Sequence, residues 1–356
     1  MDSVKKQELL SLSPEELKSA LVDLGEPSYR AKQLFSQLHK GLSPEEMTNI
    51  GKGTKALLSE HFTYHLPQIE QKLVSSIDGT VKYLFSLADG NCVESVVMKY
   101  EHGNTICLSS QVGCRMGCKF CASTIGGKVR DLTAGELLGQ VIAAAKDLSV
   151  RIDGIVLMGI GEPLDNYDNV LKFLHLVGDP EGLNIGYRHI SLSTCGLVDK
   201  IKRLQTENLP ITLSISLHAP DDETRSAIMP VNKRWGVSTL LDACRDYFRA
   251  TGRRISFEYT LIAGKNDSVA QAEKLASVLN SHLRSRTETM PIHVNLIPVN
   301  EVKESGFVKS NAKAVAAFQK TLEARGIRAT VRRKLGADID ASCGQLRRSA
   351  LQKNGE

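Results

Sequence analysis

The sequence predicts an α/β fold: a partial (βα)6 barrel preceded by a small N-terminal helical domain and a β-hairpin extension. Beyond residue 105, short apolar runs typical of strands alternate with longer runs whose apolar residues recur at helical spacing. This alternation is typical of βαβ units, which build a parallel sheet or barrel. Before residue 105 the pattern differs, because helix signals come first and short alternating runs with Asp-Gly turns come after them.

Residues 1–68 are predicted to form the helical accessory domain. Ser13 and Ser43 are each followed by Pro-Glu-Glu, which is a helix-start signal with Ser at the cap and Pro in the first turn. Between them, residues 29–35 begin another helical run. Residues 69–104 are predicted to form the β-hairpin extension, since two Asp-Gly turns divide them into short alternating runs.

The barrel core is predicted to span residues 105–300, followed by a helix, a strand and a basic tail in residues 301–356. The predicted core strands are 105–110, 154–159, 189–194, 211–218, 255–262 and 293–298. The predicted helices are 134–148, 169–177, 198–204, 239–250, 270–283 and 312–325. Ligands of such folds bind at the C-terminal ends of the strands, so the residues directly after each strand are the candidates for a site.

Composition and charge favour a globular protein with an anionic partner over a membrane-spanning or secreted one. The 356 residues are 42% hydrophobic and 24% charged, which is an ordinary globular composition. No apolar run approaches the roughly 20 residues of a membrane-spanning helix, and the N-terminus lacks a signal peptide's apolar core, so we expect a cytoplasmic protein without membrane contact. The net charge of +5 resides in residues 325–356, which predicts an anionic partner, although a solvated surface is the alternative.

Eight cysteines in such a protein are expected to be thiols, metal ligands or catalysts rather than disulfides. Cys114, Cys118 and Cys121 come after the first core strand with the spacing C-x3-C-x2-C. Zinc ribbons usually take two C-x2-C pairs, and the sequence holds no second pair. Three cysteines suit a four-iron four-sulfur cluster that leaves one iron open. A structural zinc site completed by a distant His is the alternative.

Several strand-end segments sharpen this interpretation. They are CLSSQVGCRMGCKFCAS (107–123), GIGEPL (159–164), STCG (193–196), SLH (216–218), NLIP (295–298) and CGQL (343–346). Together they resemble the radical S-adenosylmethionine (SAM) RNA methyltransferases of the RlmN/Cfr family over nearly the whole chain. Ile160 departs from that pattern, in which Met is usual. The resemblance implies a radical SAM barrel, a [4Fe-4S] cluster on the three cysteines and S-adenosyl-L-methionine as cofactor.

The resemblance also implies a set of cofactor contacts and catalytic residues. The implied SAM contacts are Gly161, Glu162, Ser193, Ser216, Leu217, His218 and Asn295, with Glu162 suited to the methionine amine. Cys343 is implied to accept a methyl group as S-methylcysteine, and Cys107 to release the RNA adduct by forming a transient disulfide with Cys343. Glu94 matches a proposed proton acceptor. Without the resemblance, Cys107 would be interpreted as a buried small hydrophobe and Glu94 as an exposed strand carboxylate.

The remaining cysteines, Cys92, Cys195 and Cys244, are expected to be structural thiols. Residues 336–344 are expected to be mobile, because a methyl-carrying segment must approach and leave the cofactor.

The implied function is methylation of carbon 2 of a specific adenosine in 23S rRNA and of the adenosine next to the anticodon in tRNAs. It uses two SAM molecules per turnover and a 5'-deoxyadenosyl radical. The expected partners are 23S rRNA, tRNA and an electron donor such as flavodoxin or ferredoxin, and the chain is expected to be a monomer.

Three alternatives stay open. The first is the carbon-8 activity of the Cfr-like members, which confers antibiotic resistance, although Pro163 and residues 121–127 favour the carbon-2 group. The second is a zinc-stabilised RNA-binding protein without catalysis. The third is a radical enzyme that acts on a small molecule.

Overall fold

A computed structural model describes residues 6–285, 289–300, 306–339, 344 and 346–347. The α-helices in this part of the chain are α1 (Pro14–Asp23), α2 (Tyr29–His39), α3 (Lys52–His61), α4 (Ala134–Leu148), α5 (Tyr167–Gly178), α6 (Val198–Thr206), α7 (Asp222–Ile228), α8 (Val237–Thr251), α9 (Val269–Leu283) and α10 (Ala312–Ala324). Among the residues described, none of these helices is long and apolar enough to cross a membrane.

The strands fall into one large sheet and two short pairs. The strands are β1 (Gln7–Glu8), β2 (Phe62–Thr63), β3 (Gln68–Val74), β4 (Val81–Ser86), β5 (Cys92–Tyr100), β6 (Gly103–Cys107), β7 (Gln111–Gly113), β8 (Lys128–Asp131), β9 (Gly154–Leu157), β10 (Ile190–Thr194), β11 (Thr212–Ser216), β12 (Ile255–Leu261), β13 (His293–Pro298) and β14 (Arg328–Val331). The large sheet has ten strands in the order β14-β13-β12-β11-β10-β9-β6-β5-β4-β3.

The predicted fold class is confirmed. Strands β6 and β9 to β14 pair in parallel, as expected of consecutive βα units. The six predicted core strands are all present, and β14 adds a seventh after α10. The hairpin extension, β3 to β5, is an antiparallel meander that joins the parallel part at β6.

The large sheet has two chemically different faces because side chains alternate along each strand. On β10 and β11, Leu192, Leu213 and Ile215 are fully buried in the main hydrophobic core. The opposite positions carry Ser193 and Ser214, which are ladder partners. We call the face that carries these serines the inner face. It is polar on β10 to β13, and its side chains are therefore available for ligands.

One predicted helix start is wrong. Ser43 and Glu46 form the reciprocal capping contacts, with Ser43 N donating to Glu46 Oε2 at 2.7 Å and Glu46 N to Ser43 Oγ at 3.3 Å. Only a turn comes next, however, and α3 does not begin until Lys52. The residues after the cap, Thr-Asn-Ile-Gly at 48–51, are poor helix formers. A capping box thus needs a helix-forming run behind it, as Ser13 has in α1.

After β14 the chain crosses the inner face of the hairpin side of the sheet. Leu335 packs against a small apolar cluster on that face, formed by Val96, Met98 and Cys107 with Val156 and Met158. The C-terminal segment is therefore in contact with the strands that precede the core, rather than extended away from the molecule.

Candidate active site

The three-cysteine loop lies between β7 and β8, and its start depends on glycine. Gly113 has φ +78°, and a Cβ there would lie 2.0 Å from Gly127 O, so no other residue fits. This close approach lets Cys114 N donate to Gly127 O at 3.0 Å. Further along, Thr124 Oγ1 donates to Cys121 O at 2.9 Å. The loop therefore closes on itself around its cysteines.

The cysteine side chains are sheltered, and their thiols influence one another. Cys114 and Cys118 are buried, and Cys121 is partly exposed. Burial raises the pKa of Cys114 to about 12, with nearby Glu162 and Cys121 adding to the rise. Burial, followed by Cys121 and Cys114, also raises the pKa of Cys118. Holding three thiolates here requires a cationic centre that displaces their protons.

The chemistry of this donor set fits a cluster better than a single ion. Three cysteine thiolates in one loop suit a four-iron cluster, which takes its ligands at the corners of a unit larger than a single ion and can leave one iron open. A structural zinc site usually takes four ligands. Cys114, Cys118 and Cys121 are thus the residues that would hold a [4Fe-4S] cluster.

Asp165 fastens the cysteine loop to the rest of the barrel. Its carboxylate accepts hydrogen bonds from Arg115 Nε at 3.1 Å, Lys128 Nζ at 3.0 Å and Gln111 Nε2 at 2.9 Å. Burial alone would raise the pKa of Asp165, but the hydrogen bonds from these three side chains outweigh it and lower the pKa. An ionised Asp165 therefore ties Arg115, inside the loop, to β7 and β8.

Gly161 and Glu162 come after β9, as the sequence predicts. Gly161 has φ +109°, and a Cβ would approach Gln111 Cβ to 2.7 Å. The buried carboxylate of Glu162 accepts from Leu164 N at 3.0 Å and from Cys195 N at 2.7 Å. Burial raises its pKa. Glu162 thus joins the ends of β9 and β10 beside the cysteine loop, where a carboxylate can hold a ligand amine.

A fully buried arginine that the sequence did not single out joins the next two strand ends. Arg225 donates to Cys195 O at 2.7 Å after β10, and to Ser216 O at 3.1 Å and Leu217 O at 3.0 Å at the end of β11. Its fourth partner is Asn232 Oδ1 at 2.9 Å. Arg225 therefore fixes the backbone at the predicted contacts Ser216 and Leu217. In the sequence it is one of many arginines, and no motif marks it.

His218 adopts a left-handed backbone, with φ +58°, directly after these residues. Its Nδ1 accepts from Thr260 N at 2.9 Å, and burial lowers its pKa to about 3. Its ring stands edge-on to Phe120 at 4.9 Å between ring centroids. Because Phe120 lies between Cys118 and Cys121, His218 is a neutral contact between the β11 strand end and the cysteine loop.

The remaining predicted contacts share the inner face. Ser193 lies in one ladder row with Ser214, and the row two residues further along joins Ser216 to Glu258 and Asn295. Asn295 Nδ2 donates to Glu258 Oε2 at 2.7 Å. Burial raises the pKa of Glu258. Glu258 was missed, and its only sequence signal is a lone carboxylate at an inner-face position of an otherwise buried strand.

Cys107 lies on the same face, at the other side of the sheet. It is 5% exposed and ladder-paired with Val156, which pairs in turn with Ser191 on β10. Cys107 is also ladder-paired with Val96 and touches the cluster that Leu335 covers. Its thiol therefore faces the same space as the polar rows, next to the C-terminal segment.

Glu94 is buried, not exposed. Its Oε2 accepts from Gly344 N at 2.9 Å and its Oε1 from Arg347 N at 2.6 Å. Lys82 Nζ lies 3.2 Å from Oε2. Cys343 lies outside the described residues, and the mobility expected for residues 336–344 stays a prediction.

The other three cysteines, which are not part of the three-cysteine loop, lie in three different places. Cys195 uses its backbone to bind Glu162 and Arg225, Cys244 is fully buried in α8, and Cys92 lies 3.9 Å from Glu70 Oε2.

Comparison with known proteins agrees with this geometry. Residues 108–276 match the radical SAM superfamily, and residues 7–63 match the ribosomal RNA large subunit methyltransferase N-terminal domain. A crystal structure of a radical SAM methyltransferase from Sphaerobacter thermophilus superposes with a TM-score of 0.89 at 40% identity, over 95% of this chain and 98% of that one. The barrel and its three-cysteine loop therefore define a radical SAM enzyme, which uses a [4Fe-4S] cluster and SAM.

Relatives that match nearly the whole chain identify its family among the radical SAM enzymes. A protein from Clostridium novyi (strain NT), named probable dual-specificity RNA methyltransferase RlmN, is 51% identical over 97% of this chain and 99% of its own length. One of the same name from Clostridium perfringens (strain SM101 / Type A) is 52% identical over 98% of both chains. This chain belongs to the RlmN family of radical SAM methyltransferases. The family resemblance drawn from the sequence motifs is confirmed.

Proposed function

We propose that this enzyme methylates carbon 2 of adenosine in RNA, with 23S rRNA and tRNA as its dual substrates. Relatives that carry the name dual-specificity RNA methyltransferase match nearly the whole chain, including its N-terminal domain. The basic residues concentrated after residue 325 suit a phosphate backbone. An enzyme that acts on these RNAs works in the cytoplasm. The proposed electron donor is a protein of the flavodoxin or ferredoxin type.

The placement of Cys107 supports methyl transfer through Cys343, while Pro163 and residues 121–127 favour carbon 2 over carbon 8. A radical SAM enzyme that acts on a small molecule needs no second thiol on the inner face, yet Cys107 lies there among apolar neighbours, next to the chain that leads to Cys343. In the proposed reaction, Cys343 accepts a methyl group from one SAM and releases a proton. A cluster held by Cys114, Cys118 and Cys121 would, with a second SAM, supply the radical chemistry that removes one hydrogen atom from this methyl group.

The other residues have supporting roles. Carbon 2 of adenine is electron-poor and has no lone pair, so it cannot attack a sulfonium methyl, but it accepts a carbon radical on Cys343. The adduct loses the carbon-2 proton and one electron, for which the oxidised cluster held by Cys114, Cys118 and Cys121 would be the acceptor. Cys107 then attacks the Cys343 sulfur, a disulfide forms, and the departing carbon takes a proton to become the methyl group. Glu94 is the proposed proton acceptor. The proposed SAM contacts are Gly161, Glu162, Ser193, Ser216, Leu217, His218 and Asn295.

Nucleoside analysis tests the proposal. Anaerobically reconstituted enzyme is incubated with SAM carrying a deuterated methyl group, a reductant, and either a 23S rRNA fragment or tRNA. We expect labelled 2-methyladenosine in both RNAs. Labelled 8-methyladenosine would assign the carbon-8 activity instead. Consumption of SAM that does not depend on RNA would favour a small-molecule substrate, and a protein holding zinc without iron or sulfide would contradict radical chemistry altogether.

A further inference from the structure

A buried ion pair in the hairpin extension joins Glu94, the proposed proton acceptor, to Lys82, which has no role in the chemistry above. Lys82 on β4 is 0% exposed and Glu94 on β5 is 3% exposed, and their charged atoms lie 3.2 Å apart. Burying two charges costs free energy that mutual attraction alone rarely recovers, so such pairs are expected where their charges have a further use. In this pair, the carboxylate of Glu94 also accepts hydrogen bonds from another part of the chain.

The carboxylate of Glu94 binds the C-terminal segment by its backbone. Gly344 N and Arg347 N donate to different oxygens of Glu94, at 2.9 and 2.6 Å. Gly344 lies in a turn and residues 346 and 347 are helical. The first N–H groups of a helix have no acceptor within the helix, and a carboxylate placed near them can accept their hydrogen bonds. Because the contacts are to backbone, they fix the path of the chain whatever its side chains are.

A second contact holds the same segment before Cys343. In the turn between β3 and β4, Asp78 Oδ2 accepts from Gly336 N at 2.9 Å. Asp338 in turn accepts from Ser75 Oγ at 2.7 Å and from Ser76 N at 2.8 Å. The hydrogen bond from Gly336 is the largest cause that lowers the pKa of Asp78, to about 2, so this contact is ionised at neutral pH.

The two contacts act on the face that also carries Cys107. Lys82 is the ladder partner of Val96, and Val96 is the ladder partner of Cys107, so all three side chains lie in one row on the inner face. Glu94 is two residues from Val96 on the same strand and thus on the same face. The hairpin extension therefore binds the chain on both sides of residues 340–343, and the contact at Glu94 is on β5, the strand next to the one that carries Cys107.

We propose that the Lys82–Glu94 pair is a docking site for the backbone at Gly344 and Arg347, which holds the segment next to Cys343 on the face that also carries Cys107. Glu94 supplies two acceptors, and Lys82 Nζ, 3.2 Å from Oε2, orients the carboxylate. Both are positioning residues in this role. The inference rests on the proposed function only for the identity of Cys343 as the methyl carrier, since the docking contacts themselves are properties of the chain.

Hydrogen exchange separates docking from proton transfer. The variants are Glu94→Gln, which removes one acceptor, and Lys82→Met, which removes the cation. Each is compared with the full-length holoenzyme, without RNA, by anaerobic exchange and mass spectrometry. We expect exchange at Gly344 and Arg347 to accelerate about tenfold, as for loss of one charge-assisted hydrogen bond, with exchange in β11 and β12 unchanged. A carboxylate that only accepts a proton during turnover would leave both amides as protected as in the wild type.

The matched control is Glu70→Gln, which neutralises an exposed carboxylate on the neighbouring strand β3. It is expected to leave exchange at Gly344 and Arg347 unchanged. If Lys82→Met does not fold, Glu94→Asp tests the same site. The shorter side chain keeps a carboxylate beside Lys82 but moves both oxygens away from the amides of Gly344 and Arg347. Unchanged protection in every folded Lys82 and Glu94 variant would overturn the proposal.

Mass spectrometry of the same preparations distinguishes this failure from a failure of the proposed function. If the wild-type enzyme methylates RNA while the variants keep full protection, docking is wrong and the methyl-transfer chemistry stands. If no S-methylcysteine forms on Cys343 in the wild type while the variants lose protection, the proposed function is wrong and the docking site stands. With both correct, the variants carry less S-methylcysteine than the Glu70→Gln control.

Discussion

The cysteine loop and the C-terminal segment are held in contrasting ways. The loop and the strand ends beside it are joined by partners that are nearer in the chain: Asp165 lies 50 residues from Arg115, and Glu162 lies 33 from Cys195. The C-terminal segment is bound through residues 250 or more positions away, such as Glu94 to Gly344 and Ser76 to Asp338. One region is built into the strand ends of the barrel, whereas the other rests on the sheet through a few hydrogen bonds and one leucine.

This difference matches the two tasks that the proposed chemistry requires. An electron-transfer centre and its cofactor must keep a fixed geometry, and strand ends joined by buried groups such as Arg225 supply it. A methyl carrier must meet a cofactor, an RNA base and Cys107 in turn. A segment bound through few contacts can open locally without unfolding the barrel.

The largest expected effect is loss of the cluster. We expect Cys118→Ala to reduce bound iron and sulfide to background and to abolish methylation, because two thiolates do not replace three. Cys244→Ala is the matched control, since Cys244 is also buried but lies in α8, away from the loop. Metal analysis after anaerobic reconstitution checks both variants. Wild-type iron in Cys118→Ala would show that the loop does not hold the cluster.

A smaller effect is expected where the loop is fastened. Asp165→Asn removes the charge that holds Arg115 and Lys128, and loss of such a supporting group typically weakens metal binding about tenfold or more. Asp168→Asn is the control, because Asp168 pairs with Arg203 at a side chain that is 81% exposed. The rate of iron loss to a chelator measures the effect. Equal rates in the wild type and Asp165→Asn would mean that the loop holds its shape alone.

The smallest effect concerns a buried carboxylate on the inner face. Burial raises the pKa of Glu258. The stability that this pKa shift contributes is therefore complete below the unfolded pKa, near 4.3. It is lost as the pH rises through the folded pKa, because the buried carboxyl must then ionise. Gln has no charge to bury. We therefore expect Glu258→Gln to melt roughly 2 °C higher than the wild type at pH 8 and at nearly the same temperature at pH 4.5. A difference independent of pH would contradict the assigned burial effect.

The sequence predicted the first region far better than the second. Cys114, Cys118 and Cys121 lie within eight residues, and Glu162 comes after a strand, so chemistry and position can be inferred together. Glu258 was missed because one carboxylate in a strand has no local pattern that separates it from a solvated residue. The Lys82–Glu94 pair could not be predicted either, since the partners of Glu94 lie 250 or more residues away and are backbone amides. The helix expected after Ser43 is absent because a cap does not determine the conformation of the residues behind it.

Trapping at Cys107 tests the link between the two regions most directly. The enzyme is incubated with SAM, a reductant and RNA, and protein and RNA are then separated under denaturing, non-reducing conditions. We predict that Cys107→Ala accumulates an RNA adduct joined through Cys343, that Cys343→Ala forms none, and that Cys92→Ala releases methylated RNA as the wild type does. Release of methylated RNA by Cys107→Ala at the wild-type rate would contradict the proposal that Cys107 releases the RNA adduct from Cys343 in the C-terminal segment.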